Sequence, residues 1–274
     1  MICFETQKVD LKGVPNARQM GGYVGYEGKH IKSDTILRTG TLYKAEKEAI
    51  ELLEEKYRIS DIVDFRMLHE SNVMPDPELK GARYHHFSVL NELNVKDKKT
   101  EKYVNIMNIP NMGERYLAMY ESKMRIDMIE VYRSITFSDE GKKGYSGFFD
   151  VLLGKKENSA VLFHCTEGKD RTGIAAILLL SALGVDNETI KTDYLMTNEA
   201  SADIIRKIKE EVSKVTDDED VIEFVMFIKC VNEKFIKPIF EIAEKEYGGI
   251  IGYIKTELGL SGSDIADLRK IYLE

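Results

Sequence analysis

Apolar positions follow two periods along this chain, one typical of buried strands and one typical of helices. Short apolar runs predict strands at 36–38, 59–65, 82–89 and 160–163, and the glycines around 23–32 predict a small hairpin. Helical spacing of apolar residues predicts helices at 44–57, 114–134, 174–180, 187–196, 200–213, 219–231, 235–247 and 264–273. This order predicts an α/β fold, with a central, mostly parallel sheet flanked by helices and a helix-rich C-terminal half.

No repeat, low-complexity tract or linker divides the chain, so residues 1–274 are expected to form one domain. The stretch 90–140 begins with a polar, poorly periodic piece and continues into a Met- and Tyr-rich helical pattern. That pattern is compatible with a helix that faces the core and also with a mobile helical lid or insertion above a pocket.

Composition narrows the classes of protein to which the chain can belong. With 43% hydrophobic and 31% charged residues, it is typical of a globular protein. The net charge of −8 argues against binding to nucleic acid or to an anionic membrane face. No secretory signal pattern occurs, and no run approaches the roughly 18 apolar residues of a membrane-spanning helix, so a cytoplasmic location without stable membrane insertion is expected.

The three cysteines are Cys3, Cys165 and Cys230. They are odd in number, far apart in sequence and without the spacing of metal ligands. We therefore expect free thiols, with neither a disulfide framework nor a zinc site.

The candidate chemistry is concentrated in the segment HCTEGKDRTG, residues 164–173, where Cys165 and Arg171 stand at the two ends of a five-residue loop. The loop joins a predicted strand to the start of a predicted helix. There, unpaired backbone N–H groups and the positive end of the helix dipole favour an anion, and a curled loop aims further N–H groups at it. The loop is expected to bind phosphate, or sulfate or vanadate in its place.

The same field favours the thiolate form of Cys165, which is the nucleophilic form. The planar guanidinium of Arg171 matches two phosphate oxygens and can follow the charge that develops as a phosphoryl group is transferred. The pattern therefore indicates a cysteine that attacks a phosphate monoester. Neither a metal ion nor an organic cofactor is expected to take part.

This segment resembles the phosphate loop of the cysteine-dependent protein tyrosine phosphatases, and more narrowly that of the bacterial tyrosine phosphatases that include the LipA-type and PtpB-type enzymes. Other segments resemble motifs of the same family: NARQMGGY at 16–23, Asp64-Phe65-Arg66 with Glu70, Asp193-Tyr194-Leu195 with Asn198, and the closing helix at 259–273. The resemblance spans nearly the whole chain and implies a phosphotyrosine-phosphatase-like fold. The chain departs from the family at Ala17, Gln19 and Glu167, where an aromatic, an acidic and a small residue are commoner.

The loop and the resemblance together assign roles to the remaining candidates. Residues expected to contact substrate are Thr166, Glu167, Gly168, Lys169 and Thr172, and residues expected to support the loop are His164, Arg66, Asp64 and Arg18. Thr172 either donates to the cysteine sulfur or caps the helix. Arg66 and Glu70 are expected to form an ion pair with each other.

The proton donor for the leaving group is expected to be Asp170, because other cysteine phosphatases with an aspartate before the loop arginine are thought to use that residue. Asp170 could instead tie the loop to neighbouring amides. Asp76, between two prolines, and Asp139 are further candidates for the acid.

The sequence thus predicts metal-independent hydrolysis of a phosphate monoester through a phosphocysteine. The resemblance implies a protein tyrosine phosphatase, with dual specificity or a phosphoinositide substrate left open. The negative net charge and Glu167 favour a phosphoprotein over a multiply charged lipid. Two further functions fit an anion-binding cysteine loop: a rhodanese-like sulfurtransferase, whose loop is typically one residue shorter, and a non-catalytic phosphate-binding module.

Overall fold

The computed structural model describes residues 3–90, 98–123 and 127–274. Its sheet consists of β1 Arg18–Gln19, β2 Ile36–Thr39, β3 Ile59–Asp64, β4 Arg83–His86 and β5 Ala160–His164. The strands lie in the order β1-β2-β5-β3-β4, in which β1 is antiparallel to β2 and the other pairs are parallel. The predicted α/β class with a mostly parallel sheet is confirmed.

The helices of the described ranges are α1 Phe4–Gln7, α2 Lys47–Glu51, α3 Leu68–Val73, α4 Lys98–Met107, α5 Met112–Glu121, α6 Met128–Phe137, α7 Asp139–Leu153, α8 Arg171–Ala182, α9 Asn187–Ala200, α10 Ala202–Ser213, α11 Glu219–Lys229, α12 Glu233–Tyr247, α13 Ile250–Thr256 and α14 Gly262–Tyr272. A wider, π-type turn over Leu52–Lys56 continues α2. Within these ranges, every helix is too short or too polar to cross a membrane.

The central strand β5 is buried along its whole length, and its residues alternate between two hydrophobic cores. Val161 and Phe163 belong to a core built around α8, whereas Ala160 and Leu162 face the opposite core against the first part of the chain. Every residue of α8 after Arg171 is buried. The loop between β5 and α8 is therefore held at both ends by fully packed elements.

The carboxyl ends of three parallel strands lie level with one another. Thr39 of β2 and Asp64 of β3 both pair in register with His164 at the end of β5. Open parallel sheets bind their ligands at this edge. The register therefore places residues that follow β2, β3 and β5 around one point.

The single helix predicted at 114–134 is wrong, because the structure has two helices there. Helix α5 ends at Glu121, Lys123 adopts a left-handed conformation with φ 54°, and the side chain of Asp127 accepts hydrogen bonds at the start of α6. A left-handed residue ends a helix, and an aspartate cap begins one. The sequence pattern also did not predict α7 and α13, and the expected hairpin is a single bridge, Val24 to His30.

Within the stretch 90–140, residues 91–97 and 124–126 lie outside the described ranges. Helices α4 and α5 share a third hydrophobic cluster with α10 and α11, formed by Ile106, Tyr116, Met119, Ile208, Val212, Val221, Val225 and Ile228. Helix α6 packs instead against α7, α8 and α12. The Met- and Tyr-rich stretch thus contributes to two different cores.

Candidate active site

The site is built on the loop from Cys165 to Asp170, which connects β5 to α8. Cys165 is buried at the start of the loop, and Arg171 is the first residue of α8. The Arg171 side chain is 13% exposed. Both residues predicted to carry the chemistry therefore lie at the carboxyl edge of the sheet and are largely shielded from water.

The carbonyl groups of the loop are held by donors outside it. The Thr166 carbonyl accepts from the amide of Thr41 at 3.1 Å. The Gly168 carbonyl accepts from Asn16 Nδ2 at 2.7 Å and Arg38 Nη2 at 3.2 Å. Since the C=O and N–H of a trans peptide point in opposite directions, these bonds favour a loop whose amides face inward, as an anion requires.

Gly168 meets two conditions that only glycine satisfies. Its φ is +67°, and a Cβ there would lie 2.5 Å from the Thr39 carbonyl oxygen and 2.6 Å from the Gly40 nitrogen. The close approach is to backbone atoms, which cannot move aside without displacing β2.

Gly168→Ala is expected to destabilise the protein and to lower activity at least about 10²-fold, because the loop must shift away from β2. Gly28→Ala is a matched control, because Gly28 also has a positive φ, +74°, but open space around it. The control should cost only the backbone strain of about 1–2 kcal/mol. Urea unfolding and phosphatase assays of both variants measure this difference, and equal activity losses would contradict it.

Glu70 holds Arg171 in a two-pronged ion pair. The distances are 2.5 Å from Arg171 Nη1 to Glu70 Oε2 and 2.9 Å from Nη2 to Oε1, and Thr166 Oγ1 donates to Oε1 at 2.5 Å. Burial opposes ionisation of Glu70, but Arg171 and Thr166 outweigh it and lower its pKa to about 2. Glu70 thereby orients the guanidinium and ties both ends of the loop together.

The expected ion pair between Arg66 and Glu70 is wrong. Arg66 precedes α3, so the two residues do not share a helical face, and Glu70 turns towards Arg171. The guanidinium of Arg66 is buried and donates instead to Asp64 at 2.7 Å and to Asp76 at 2.5 Å.

His164 lies against the same two carboxylates. Its Nε2 is 3.2 Å from Asp76 Oδ2, and its Nδ1 is 4.0 Å from Asp64 Oδ1. Burial disfavours the imidazolium, but the two carboxylates outweigh it and raise the pKa of His164. His164, Asp64, Asp76 and Arg66 thus form one buried network of charged groups at the start of the loop.

Asp64, Asp76 and His164 are also the one cluster in the described ranges with ligand atoms close enough for a metal ion, all within 4.8 Å of one another. The guanidinium of Arg66 already bonds both carboxylates. A cation between them would have to displace this buried arginine, so the donor set fits an internal ion network better than a metal centre.

Arg18 belongs to a second buried cluster, formed by the N-terminal motif and α9. Asp193 forms an ion pair with Arg38 and accepts a 2.8 Å hydrogen bond from the hydroxyl of Tyr23. Arg18 lies beside them and donates to Thr197 Oγ1 at 3.3 Å. Burial, and then the neighbouring charge of Arg38, lower the pKa of Arg18 to about 10. The cluster supports the loop through Arg38, which also bonds the Gly168 carbonyl.

Glu167 and Lys169 connect the loop to α11. Glu167 forms an ion pair with Lys229 and lies 3.4 Å from Lys169 Nζ. Lys169 is buried and donates to the Ile228 carbonyl at 2.8 Å. Burial opposes ionisation of Glu167, but Lys169 and Lys229 lower its pKa to about 2. The negative charge expected at the mouth of the site is therefore compensated by two lysines.

Asp170, the predicted acid, has a 27% exposed side chain. Its Oδ1 accepts from the hydroxyl of Tyr132 at 2.7 Å, and its Oδ2 is 3.7 Å from Lys169 Nζ. Although Asp170 precedes α8, its carboxylate does not cap that helix. Asp76 is engaged by Arg66 and His164, and Asp139 is exposed in the first turn of α7.

The sequence did not reveal the correct partners of three residues around the loop, which are Tyr132, Lys229 and Glu70. Tyr132 and Lys229 carry no local motif, and their contacts with Asp170 and Glu167 join elements distant in sequence. Glu70 could be recognised from the sequence because it belongs to the strand-end motif, but its predicted partner was Arg66, whereas the structure pairs it with Arg171. Thr172 is buried in the first turn of α8, and its hydroxyl has no hydrogen-bond partner among the described residues, so neither the predicted contact with the cysteine sulfur nor the predicted helix cap is formed.

Comparisons with known proteins identify the family and several relatives of this chain. The sequence profile of the "Tyrosine phosphatase family" matches residues 9–274. A Cupriavidus necator protein with the provisional name of tyrosine-protein phosphatase is 26% identical over 260 residues, which cover 95% of this chain and 86% of that protein. The triple specificity protein phosphatase PtpB of Mycobacterium tuberculosis is 31% identical over 121 residues, or 41% of this chain and 44% of PtpB.

A tyrosine-protein phosphatase of Nostoc commune is 28% identical over 173 residues, which cover 61% of this chain and 49% of that protein. The profile match extends over nearly the whole chain and includes the loop, its supporting clusters and α14. The chain therefore belongs to the tyrosine phosphatase family, whose members are phosphoric monoester hydrolases.

Proposed function

We propose that this protein hydrolyses phosphotyrosyl proteins through a phosphocysteine at Cys165, without a metal ion. The observation that supports this most strongly is the loop itself. A buried cysteine begins it, its carbonyls are held outward, and its arginine is aligned by the two-pronged pair with Glu70. Such a loop offers a nucleophile and donors to the same phosphate.

In the first step the Cys165 thiolate attacks phosphorus, so that an S–P bond forms while the bond to the leaving oxygen breaks. Asp170 gives its proton to that oxygen and becomes a carboxylate. Arg171 and the loop amides bind the three remaining phosphoryl oxygens, whose charge is spread in the transition state.

In the second step water attacks the phosphocysteine. Asp170 takes the proton that the water loses, the S–P bond breaks, and the thiolate leaves with inorganic phosphate as the other product. We assign to Thr172, whose buried hydroxyl has no hydrogen-bond partner among the described residues, the donation of a hydrogen bond to this sulfur as it leaves. The enzyme returns to its starting state without a metal or an organic cofactor.

Asp170→Asn is expected to slow hydrolysis of a phosphotyrosyl peptide by about 10²-fold or more, since its leaving group needs a proton. With p-nitrophenyl phosphate the rate of the first step should fall far less, because its leaving group is stable as an anion. Single-turnover kinetics on both substrates measure the difference. Similar losses on both would remove Asp170 from the role of acid.

Phosphotyrosyl protein is the first choice of substrate because the family is that of tyrosine phosphatases. A phosphoinositide is the second candidate, since Lys169 and Lys229 compensate Glu167 and PtpB is named a triple specificity phosphatase. A comparison of kcat/KM for phosphotyrosyl peptides, phosphoseryl peptides and soluble phosphoinositides tests this choice. A clear preference for the inositide would replace it.

Two other functions predict different results at the same loop. A sulfurtransferase would turn over thiosulfate and leave aryl phosphates intact. A binding module would bind phosphate without hydrolysing any ester. Assays of both reactions, with a chelator present, separate these functions from the proposed one.

A further inference from the structure

A chain of hydroxyl groups runs from the protein interior to Asp170. The hydroxyl of Tyr194 donates to the Tyr132 oxygen at 2.7 Å, and the hydroxyl of Tyr132 donates to Asp170 Oδ1 at 2.7 Å. Burial raises the pKa of Tyr194 well above its ordinary value, so this phenol keeps its proton. The Tyr132 oxygen therefore accepts one hydrogen bond, and its own hydroxyl hydrogen points towards Asp170.

Both phenols are fixed by packing. Tyr132 and Tyr194 are completely buried, their rings lie edge to face with centroids 6.0 Å apart, and Phe235 also packs against Tyr132. Burial, together with the charge of Asp170, raises the pKa of Tyr132 well above its ordinary value, so the phenol keeps its proton. Tyr132 is thus a permanent donor in a fixed position.

From this geometry we infer that Tyr132 is a positioning residue for general acid catalysis, one that determines which oxygen of Asp170 carries the reacting proton. The inference rests on the proposed function, in which Asp170 is the acid. Oδ1 accepts from Tyr132 in both protonation states, so the proton of the acid form lies on Oδ2. Oδ2 gives that proton to the leaving oxygen and later receives one from water.

The surroundings of the two oxygens agree with this division. The Asp170 side chain is partly exposed, whereas Tyr132 is not, so a substrate can approach the carboxyl group but not the phenol. Lys169 Nζ, at 3.7 Å from Oδ2, is too far away to occupy that oxygen with a hydrogen bond. Tyr132 does not exchange a proton with the substrate, and it acts only through Asp170.

A double-mutant cycle between Tyr132→Phe and Asp170→Asn tests the inference, with phenyl phosphate as the poor leaving group and p-nitrophenyl phosphate as the good one. Tyr132→Phe should lower the rate of Cys165 phosphorylation about 10-fold more with phenyl phosphate than with p-nitrophenyl phosphate. In the Asp170→Asn background the same change should have an effect of less than about twofold on either substrate.

Tyr272→Phe is the matched control, because it also removes a buried hydroxyl, one that donates to the Leu152 carbonyl at 2.9 Å. It should not change the ratio of the two rates. An equal loss on both substrates from Tyr132→Phe, or a loss that persists with Asp170→Asn, would overturn the inference.

The single variant Asp170→Asn in the same cycle reports separately on the proposed function. If Asp170→Asn lowers the rates on both substrates equally, Asp170 is not the acid, and the inference about Tyr132 is wrong as well. If Tyr132→Phe does not fold, Tyr194→Phe provides the second measurement. Tyr194→Phe removes the donor that orients Tyr132, so it should slow the reaction of phenyl phosphate by a smaller factor than Tyr132→Phe. This decrease in rate should disappear in the Asp170→Asn background. A decrease that remains in that background would count against the inference.

Discussion

Cys165→Ser is expected to lower kcat on an aryl phosphate by at least about 10⁴-fold, because a serine hydroxyl is a far weaker nucleophile than a cysteine thiolate. Vanadate and phosphate should still bind, since the loop amides and Arg171 remain in place. Steady-state kinetics and vanadate titration of the variant measure the two quantities separately. Chelator should leave the activity of the unmodified enzyme unchanged.

Cys230→Ser is the control for this substitution. Cys230 is partly buried at the end of α11, close to Lys169, and burial raises the pKa of its thiol. It should therefore be unreactive, and its replacement should leave kcat within about twofold. Activity that survives Cys165→Ser, or that disappears with chelator, would contradict the proposed mechanism.

Arg171→Lys is expected to lower kcat/KM by about 10³-fold or more, even though the positive charge is kept. A lysine cannot bond both oxygens of Glu70 and two phosphate oxygens at once, so the geometry of the loop and the donation to the transition state are lost together. Kinetics on p-nitrophenyl phosphate suffice, because this loss does not depend on the leaving group.

Arg206→Lys is the matched control, since Arg206 forms an exposed ion pair with Asp203 on α10. Its replacement should not change kcat/KM measurably. If Arg171→Lys retained activity within about 10-fold, the bidentate role of the guanidinium would be wrong.

The sequence predicts most reliably what depends on neighbours in the chain. Cys165 and Arg171 are separated by one short loop, and the strand and the helix on either side are continuous apolar runs. Their edge-of-sheet position could therefore be predicted. The carboxyl end of β3, where Asp64 and Arg66 lie, could be predicted for the same reason.

Contacts between distant residues could not be read from the pattern. Arg171 could be predicted as a phosphate ligand, but its partner Glu70 lies 101 positions away, and Tyr132 lies 38 positions from Asp170. The break between α5 and α6 includes a left-handed residue, Lys123, of a type that does not usually end a helix. Tertiary packing determines these contacts and this helix break, so the local spacing of apolar residues does not predict them.

The central claim is that a phosphoryl group passes through the sulfur of Cys165, and the phosphocysteine itself is its most direct test. Enzyme and p-nitrophenyl phosphate are mixed, quenched in denaturant within one turnover, and analysed by mass spectrometry of the peptide that contains Cys165. We predict that this peptide gains the mass of one phosphoryl group in proportion to the first p-nitrophenol released. A full first turnover with Cys165 unmodified, or with the phosphoryl group on another residue, would contradict the proposed mechanism.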